Sequence, residues 1–170
     1  LSYSQLFAMH QLLDSYCANG KWRDVNHLLH PIYNHIDACF TPRWNNSCGD
    51  DATFNITLEM IAKIAFAKSG YYPQIKDKQM AWKMLEILNY YAGYYAIGHP
   101  ISFYQRMAAM FLCYQSIDNP KLRDKDKKNI YSIGWWAQIS ANICYGYKSY
   151  QYARAHLLFT YIYYHIYHEY

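Results

Sequence analysis

The stretch from Leu12 to Ile32, LLDSYCANGKWRDVNHLLHPI, constrains the fold of this chain more than any other. Upstream of the turn, Leu6, Met9, Leu13 and Tyr16 recur at three-to-four spacing, the mark of one apolar helix face. Ser2 with Gln5 is placed to form a capping box at its start. Asn19-Gly20 ends it, because glycine takes the left-handed conformation of a helix C-terminus without a Cβ penalty. Trp22, Val25, Leu28, Leu29 and Ile32 then define a second helix. Two helices joined by so short a turn pack antiparallel. Pro31 falls inside the second helix, where a missing amide is expected to kink or restart it.

The remainder of the chain has the same character. After a loop from Thr41 to Phe54, Asn55 or Thr57 is expected to cap a helix through Leu58, Ile61, Ile64 and Ala65 that ends near Ser69-Gly70. Gly70-Tyr71-Tyr72 repeats the glycine-aromatic turn, and Asp77 precedes a helix from Lys78 to about Ile97 carrying Met80, Met84, Ile87, Leu88 and Tyr91 on one face. Pro100 opens a fifth helix with a core stripe of Phe103, Met107, Met110, Phe111 and Tyr114. Asp124 or Asp126 opens the sixth, and Cys144-Tyr145-Gly146 leads into a last helix from Tyr152 to Tyr170. No strand pattern of any length occurs. The expectation is an all-α fold of about seven helices in antiparallel pairs, an irregular helical bundle or a repeat array, in a single domain over residues 1–170.

The spacing of Leu12, Tyr16, Gly20, Trp22, Val25 and Leu29 resembles tetratricopeptide-like (TPR-like) helical repeats. In that family these positions hold a hydrophobe and an aromatic in the first helix, a glycine-x-aromatic turn, then a small or aliphatic residue in the second. Over residues 144–157, Tyr150 and Ala153 reproduce the spacing of Trp22 and Val25. Val25 stands where that family usually has alanine, and its 34-residue period is not sustained. A second resemblance covers Tyr104 to Trp136, which is similar to helical-pair segments of α/α-toroid polysaccharide lyases and glycosidases. It implies a carbohydrate-binding or polysaccharide-cleaving fragment.

Composition narrows the function classes. Hydrophobic residues make up 53% and charged residues 16% of the chain, below the usual charged share of about 25%, so uncharged side chains must cover much of the surface. Twenty-one Tyr and five Trp do so, each with an apolar body and a hydrogen-bonding tip suited to interfaces. The net charge of +4 is modest. Its one cluster, Lys121, Arg123, Lys125, Lys127 and Lys128, is diluted by Asp124 and Asp126, which disfavours nucleic acid as a partner. The longest apolar stretch, Leu157 to Tyr167, is short of the ~20 residues of a membrane span. The last helix is nonetheless apolar almost all round, so the core, a partner or a second copy must cover it. A homodimer through residues 152–170 follows as one expectation.

The five cysteines form no C-x-x-C pair. Cys39 and Cys48 bracket the loop FTPRWNNS and are a candidate disulfide, which would imply an oxidising compartment, periplasmic or secreted rather than cytoplasmic. The sequons at Asn45 and Asn55 point the same way. His27 with His30, and His165 with His168 and Glu169, share helix faces, but without H-E-x-x-H they define no metal site. Cys144 and His156 could meet across a hairpin, though a buried structural thiol is the simpler account. Asp50-Asp51 has the character of a helix start. No cofactor and no catalytic residue is assigned. The leading expectation is a non-enzymatic protein-binding module of adaptor, inhibitor or immunity type. Its aromatic groove would use Trp22, Trp44, Tyr71, Tyr72, Trp135 and Tyr150, aromatics at turns or in loops where core residues are less expected.

Overall fold

A computed structural model describes residues 1–41, 45–46, 49–92, 96–115 and 124–167. Among them are seven α-helices, so the chain is all-α. They divide into two compact units, Leu1–Gly93 and Tyr94–Tyr170.

In the first unit, α1 (Tyr3–Ala18) and α2 (Trp22–Cys39) form the hairpin expected from sequence. Ser2 Oγ accepts from the Gln5 amide while Gln5 Oε1 accepts from the Ser2 amide, so the capping box is complete. At the other end of α1, Lys21 N donates to Tyr16 O at 2.9 Å and Gly20 N to Cys17 O at 3.3 Å, with Gly20 at φ +67°. That is a Schellman motif, and it needs glycine at its left-handed position. The buried face of α1 is Leu6, His10, Leu13 and Cys17. Leu12 is exposed.

Helix α2 continues through Pro31 as one element, Trp22–Cys39, without the restart expected there. Val25 and Leu29 before the proline and Ile32 and Ile36 after it are all buried, so both sides of Pro31 are committed to the core. His27, whose carbonyl loses its amide partner to the proline ring, is exposed, so water can satisfy that oxygen. Two residues of β1 (Phe40–Thr41) then pair antiparallel with β2 (Asn45–Asn46), Phe40 opposite Asn46.

Helix α3 (Asp51–Phe66) starts a turn earlier than expected, because Asp50 accepts from Thr53 N at 2.7 Å and is the N-cap. Asp50-Asp51 is helix-start chemistry, and Asn55 and Thr57 lie inside the helix. Nearly the whole length of α3 is buried, with Leu58, Met60, Ile61 and Ile64 at its centre. It widens into a π-helical turn, Ala67–Tyr71, where Gly70 at φ +108° departs from helical geometry. A 3-10 turn (Pro73–Ile75) leads to α4 (Lys78–Ala92), whose first turn is capped by Asp77 Oδ1 accepting from Met80 N. The described part of helix α4 runs to Ala92, and Ala96 to His99 form a turn, so the helix does not extend to Ile97.

The second unit is a three-helix assembly of α5 (Pro100–Gln115), α6 (Asp124–Tyr145) and α7 (Tyr150–Tyr167), with α6 packed on both others. Pro100 is the first residue of α5, as its fixed φ allows. Helix α7 begins two residues earlier than the sequence suggested, because Ser149 Oγ accepts from Tyr152 N at 3.0 Å. Phe103, Met107, Met110, Ala137, Ala141 and Ile162 fill its core. Gly134 on α6 makes the closest approach. A Cβ there would overlap the Phe159 ring and stand 3.0 Å from Met110 Sδ, so the missing side chain is the socket that seats Phe159.

Candidate functional site

The most open chemistry lies on the α6–α7 pair. Tyr131 and Trp135 are one helical turn apart on α6, and their rings lie nearly parallel, 12° between planes with centroids 6.4 Å apart. Across the helix pair Phe159, Tyr163 and Tyr167 follow one another at four-residue spacing on α7. Tyr131 meets all three, at 5.5, 5.8 and 6.4 Å. The ladder is exposed at its upper edge, with Trp135 47% and Tyr167 42% accessible. Its origin is local: i, i+4 spacing aligns the rings on each helix, and Gly134 lets Phe159 sink so that the two rows mesh. Trp135 was legible from sequence as a candidate. Tyr163 and Tyr167 were not, because a helix apolar nearly all round gives no periodicity that separates its covered faces from its open one, and Tyr131 was not, because it lies inside a helix and not at a turn. Tyr150, also a candidate, is exposed at the first turn of α7, with the Arg154 guanidinium 4.5 Å above its ring.

Three other candidates come together in the first unit. Trp22 and Tyr72 stand 5.3 Å apart, and Tyr72 meets Tyr71 at 4.9 Å and Phe66 at 6.1 Å. These rings are half-buried, so the cluster seals α2 against the π-helical turn and shows only its edges to solvent. Trp44 lies outside the described residues.

Lys68, four residues before Tyr72 in the chain, is only 8% exposed. Its Nζ stands 3.5 Å from Asn26 Oδ1, and its carbonyl accepts from Asp77 N at 3.0 Å. Burial pushes the ammonium below its ordinary pKa, with Asp77 and Cys17 acting in the opposite direction. The Tyr33 hydroxyl is also buried, without a partner among the described residues, and burial together with Asp77 raises it well above the usual phenol range. Lysines are seldom buried this far, and a sequence pattern carries no signal for it: Lys68 simply falls on the inner side of a π turn.

A thiol and an imidazole meet on α2, where Cys39 Sγ lies 3.5 Å from His35 Nε2, which is also 3.1 Å from Thr57 Oγ1. The thiol is buried, so this pair is closed to a substrate. Cys39 is a free cysteine, and its candidate disulfide partner Cys48 lies outside the described residues. Cys144 and His156 do not pair. The first directs its thiol to Ile97 O at 3.9 Å, while the second lies 2.7 Å from Gln138 Oε1. Among the described residues no group of three His, Cys, Asp or Glu is placed to hold a metal ion; His168 and Glu169 lie outside them. No helix among those residues is long and apolar enough to cross a membrane. No family model, no curated protein and no solved structure matches the chain.

Proposed function

We propose that this chain is a non-enzymatic protein-binding module of adaptor, inhibitor or immunity type, and that the α6–α7 ladder is its contact surface. One observation carries this reading: Tyr131, Trp135, Tyr163 and Tyr167 form a contiguous cluster of exposed aromatic rings on two packed helices. Such side chains are typical interface anchors, since they offer large contact area for the loss of two torsions each. Trp135 and Tyr163 are the central contacts, with Tyr150 a further one. Trp22, Tyr71 and Tyr72 contribute only the edges of a packed cluster, and would be a second, smaller surface on the first unit, the one whose hairpin resembles TPR-like repeats.

Carbohydrate binding is the second reading, favoured by the exposed, near-parallel Tyr131 and Trp135 rings, since an open aromatic face is a surface on which a sugar can lie. A doubly substituted chain, Trp135→Ala with Tyr163→Ala, decides the matter against the wild type. The expected result is a discrete partner protein, retained stoichiometrically from the native source by the wild type and lost by the variant, with the melting temperature within a few degrees. Equal retention by both chains would remove the ladder as the contact surface. Glycan-array binding that disappears in the variant would transfer the ladder to carbohydrate.

A further inference from the structure

We propose that the outward arc of α7, from Tyr150 to Tyr164, seats in the headgroup layer of a membrane that contains anionic lipid. The arc lies farther around the helix than Tyr163 and Tyr167 of the ladder, so the inference stands apart from the function proposed for Trp135.

Helix α7 is covered on one narrow side. Its buried residues, Ala155, Ile162 and Ile166, fall within about 40° of one another at the 3.6 residues per turn of an α-helix. Tyr164, Leu157 and Ala153 stand opposite them and are exposed, Leu157 at 69% and Tyr164 at 47% accessibility. Arg154 is the single Lys, Arg, Asp or Glu of the whole helix. The outer face of a helix in water ordinarily carries such groups, and an open apolar face without them marks a contact.

Charge indicates what the face meets. The first unit, Leu1–Gly93, holds eight Lys and Arg against eight Asp and Glu, and the second, Tyr94–Tyr170, holds eight against four, so the whole +4 belongs to the unit that carries α7. Two of those four carboxylates, Asp124 and Asp126, stand in the first turn of α6, against the positive end of its dipole. From Lys127 to Tyr167 every Lys, Arg, Asp or Glu is a cation. Lys148 and Arg154 flank the start of the arc, 5.7 and 4.5 Å from the ring centres of Tyr147 and Tyr150. An anionic surface complements this arrangement, whereas a second copy would bring like charges together. Side-chain type and shape select lipid over an acidic protein. Tyr150, Tyr161 and Tyr164, all exposed, join an apolar ring to a hydroxyl, the combination that collects at membrane–water interfaces. The arc is the convex side of a single helix, so its side chains diverge; headgroups close around them, while a folded partner would need a groove. Among the described residues no helix is long and apolar enough to cross a bilayer, which fits a helix lying along the surface.

Flotation of the full chain with vesicles tests the proposal, using phosphatidylcholine alone and phosphatidylcholine mixed with phosphatidylserine. The wild type is expected to float with the mixed vesicles and to stay behind with phosphatidylcholine, and added salt should weaken the binding. Leu157→Asp is expected to bind the mixed vesicles roughly tenfold or more weakly, through loss of one seated leucine, and Lys148→Gln about fivefold more weakly, through loss of one positive charge. Both side chains are exposed, so both variants should melt with the wild type. The doubly substituted chain, Trp135→Ala with Tyr163→Ala, should float as the wild type does. Absence of flotation with the mixed vesicles, equal flotation with both compositions, or a Leu157→Asp chain that floats normally would each overturn the proposal. Loss of flotation in the doubly substituted chain would also overturn it, since the ladder rather than the arc would then be the contact.

Discussion

His10 is the residue whose environment departs furthest from what its position in a helix suggests. It lies on the buried face of α1 with Nε2 3.4 Å from Ile56 O, and burial, reinforced by the nearby Lys63 ammonium, lowers its pKa to about 4. The unfolded chain protonates this imidazole below about 6.5 and the folded chain does not, so stability is full above that value and falls as the pH drops toward 4. The ceiling on this loss is about 3 kcal/mol. Urea unfolding at pH 7 and pH 4.5 should show the wild type losing more stability than His10→Leu over that interval; equal losses would assign the acid sensitivity elsewhere. Gly134 gives the complementary test. Alanine would ordinarily strengthen a helix interior by about 1 kcal/mol over glycine, but here its methyl meets the Phe159 ring and Met110 Sδ. Gly134→Ala is expected to destabilise by about 1–3 kcal/mol, read as a lower urea midpoint, and to disturb near-ultraviolet aromatic signals as Phe159 leaves its socket. A stabilised variant would show that the socket is not needed.

At the scale of elements, helix termini are where sequence and structure agree best, because a cap is decided within four or five residues. Ser2 with Gln5, Asn19-Gly20 and Pro100 all act as their local chemistry requires. The start of α3 moved to Asp50 because several residues in that stretch can cap, and burial of Thr53 and Ile56 selects among them. Pro31 shows the same priority of packing over local preference. The helix continues through it because the apolar residues on either side are already committed to the core. Pro31→Ala should therefore restore the amide bond to His27 O and raise stability by about 1–3 kcal/mol, measured by denaturant titration; no gain would mean that the proline's restriction of the unfolded chain offsets the lost bond.

For the whole molecule, internal packing gathers the chain into two compact units with their own buried residues, Leu58, Ile61 and Ile64 in one and Phe103, Met107 and Met110 in the other. Leu58→Ala, a core truncation of a kind that costs 2–5 kcal/mol, is expected to accelerate hydrogen exchange of protected amides in residues 1–93 while those in 94–170 keep wild-type protection. Uniform loss of protection across both would show one cooperative unit. The amino-acid sequence by itself determined the helical class, the hairpin at Gly20 and most of the helix ends, since periodicity and capping are written in neighbouring residues. It also marked Trp135. Only the tertiary structure decided that Lys68 and His10 are buried, that Trp22 and Tyr72 close a packed cluster, and that Tyr131, Tyr163 and Tyr167 join Trp135 on an open face. Those outcomes depend on which neighbour covers which side of a helix, and where aromatic residues occupy every side, no spacing rule can say which one is left to the solvent.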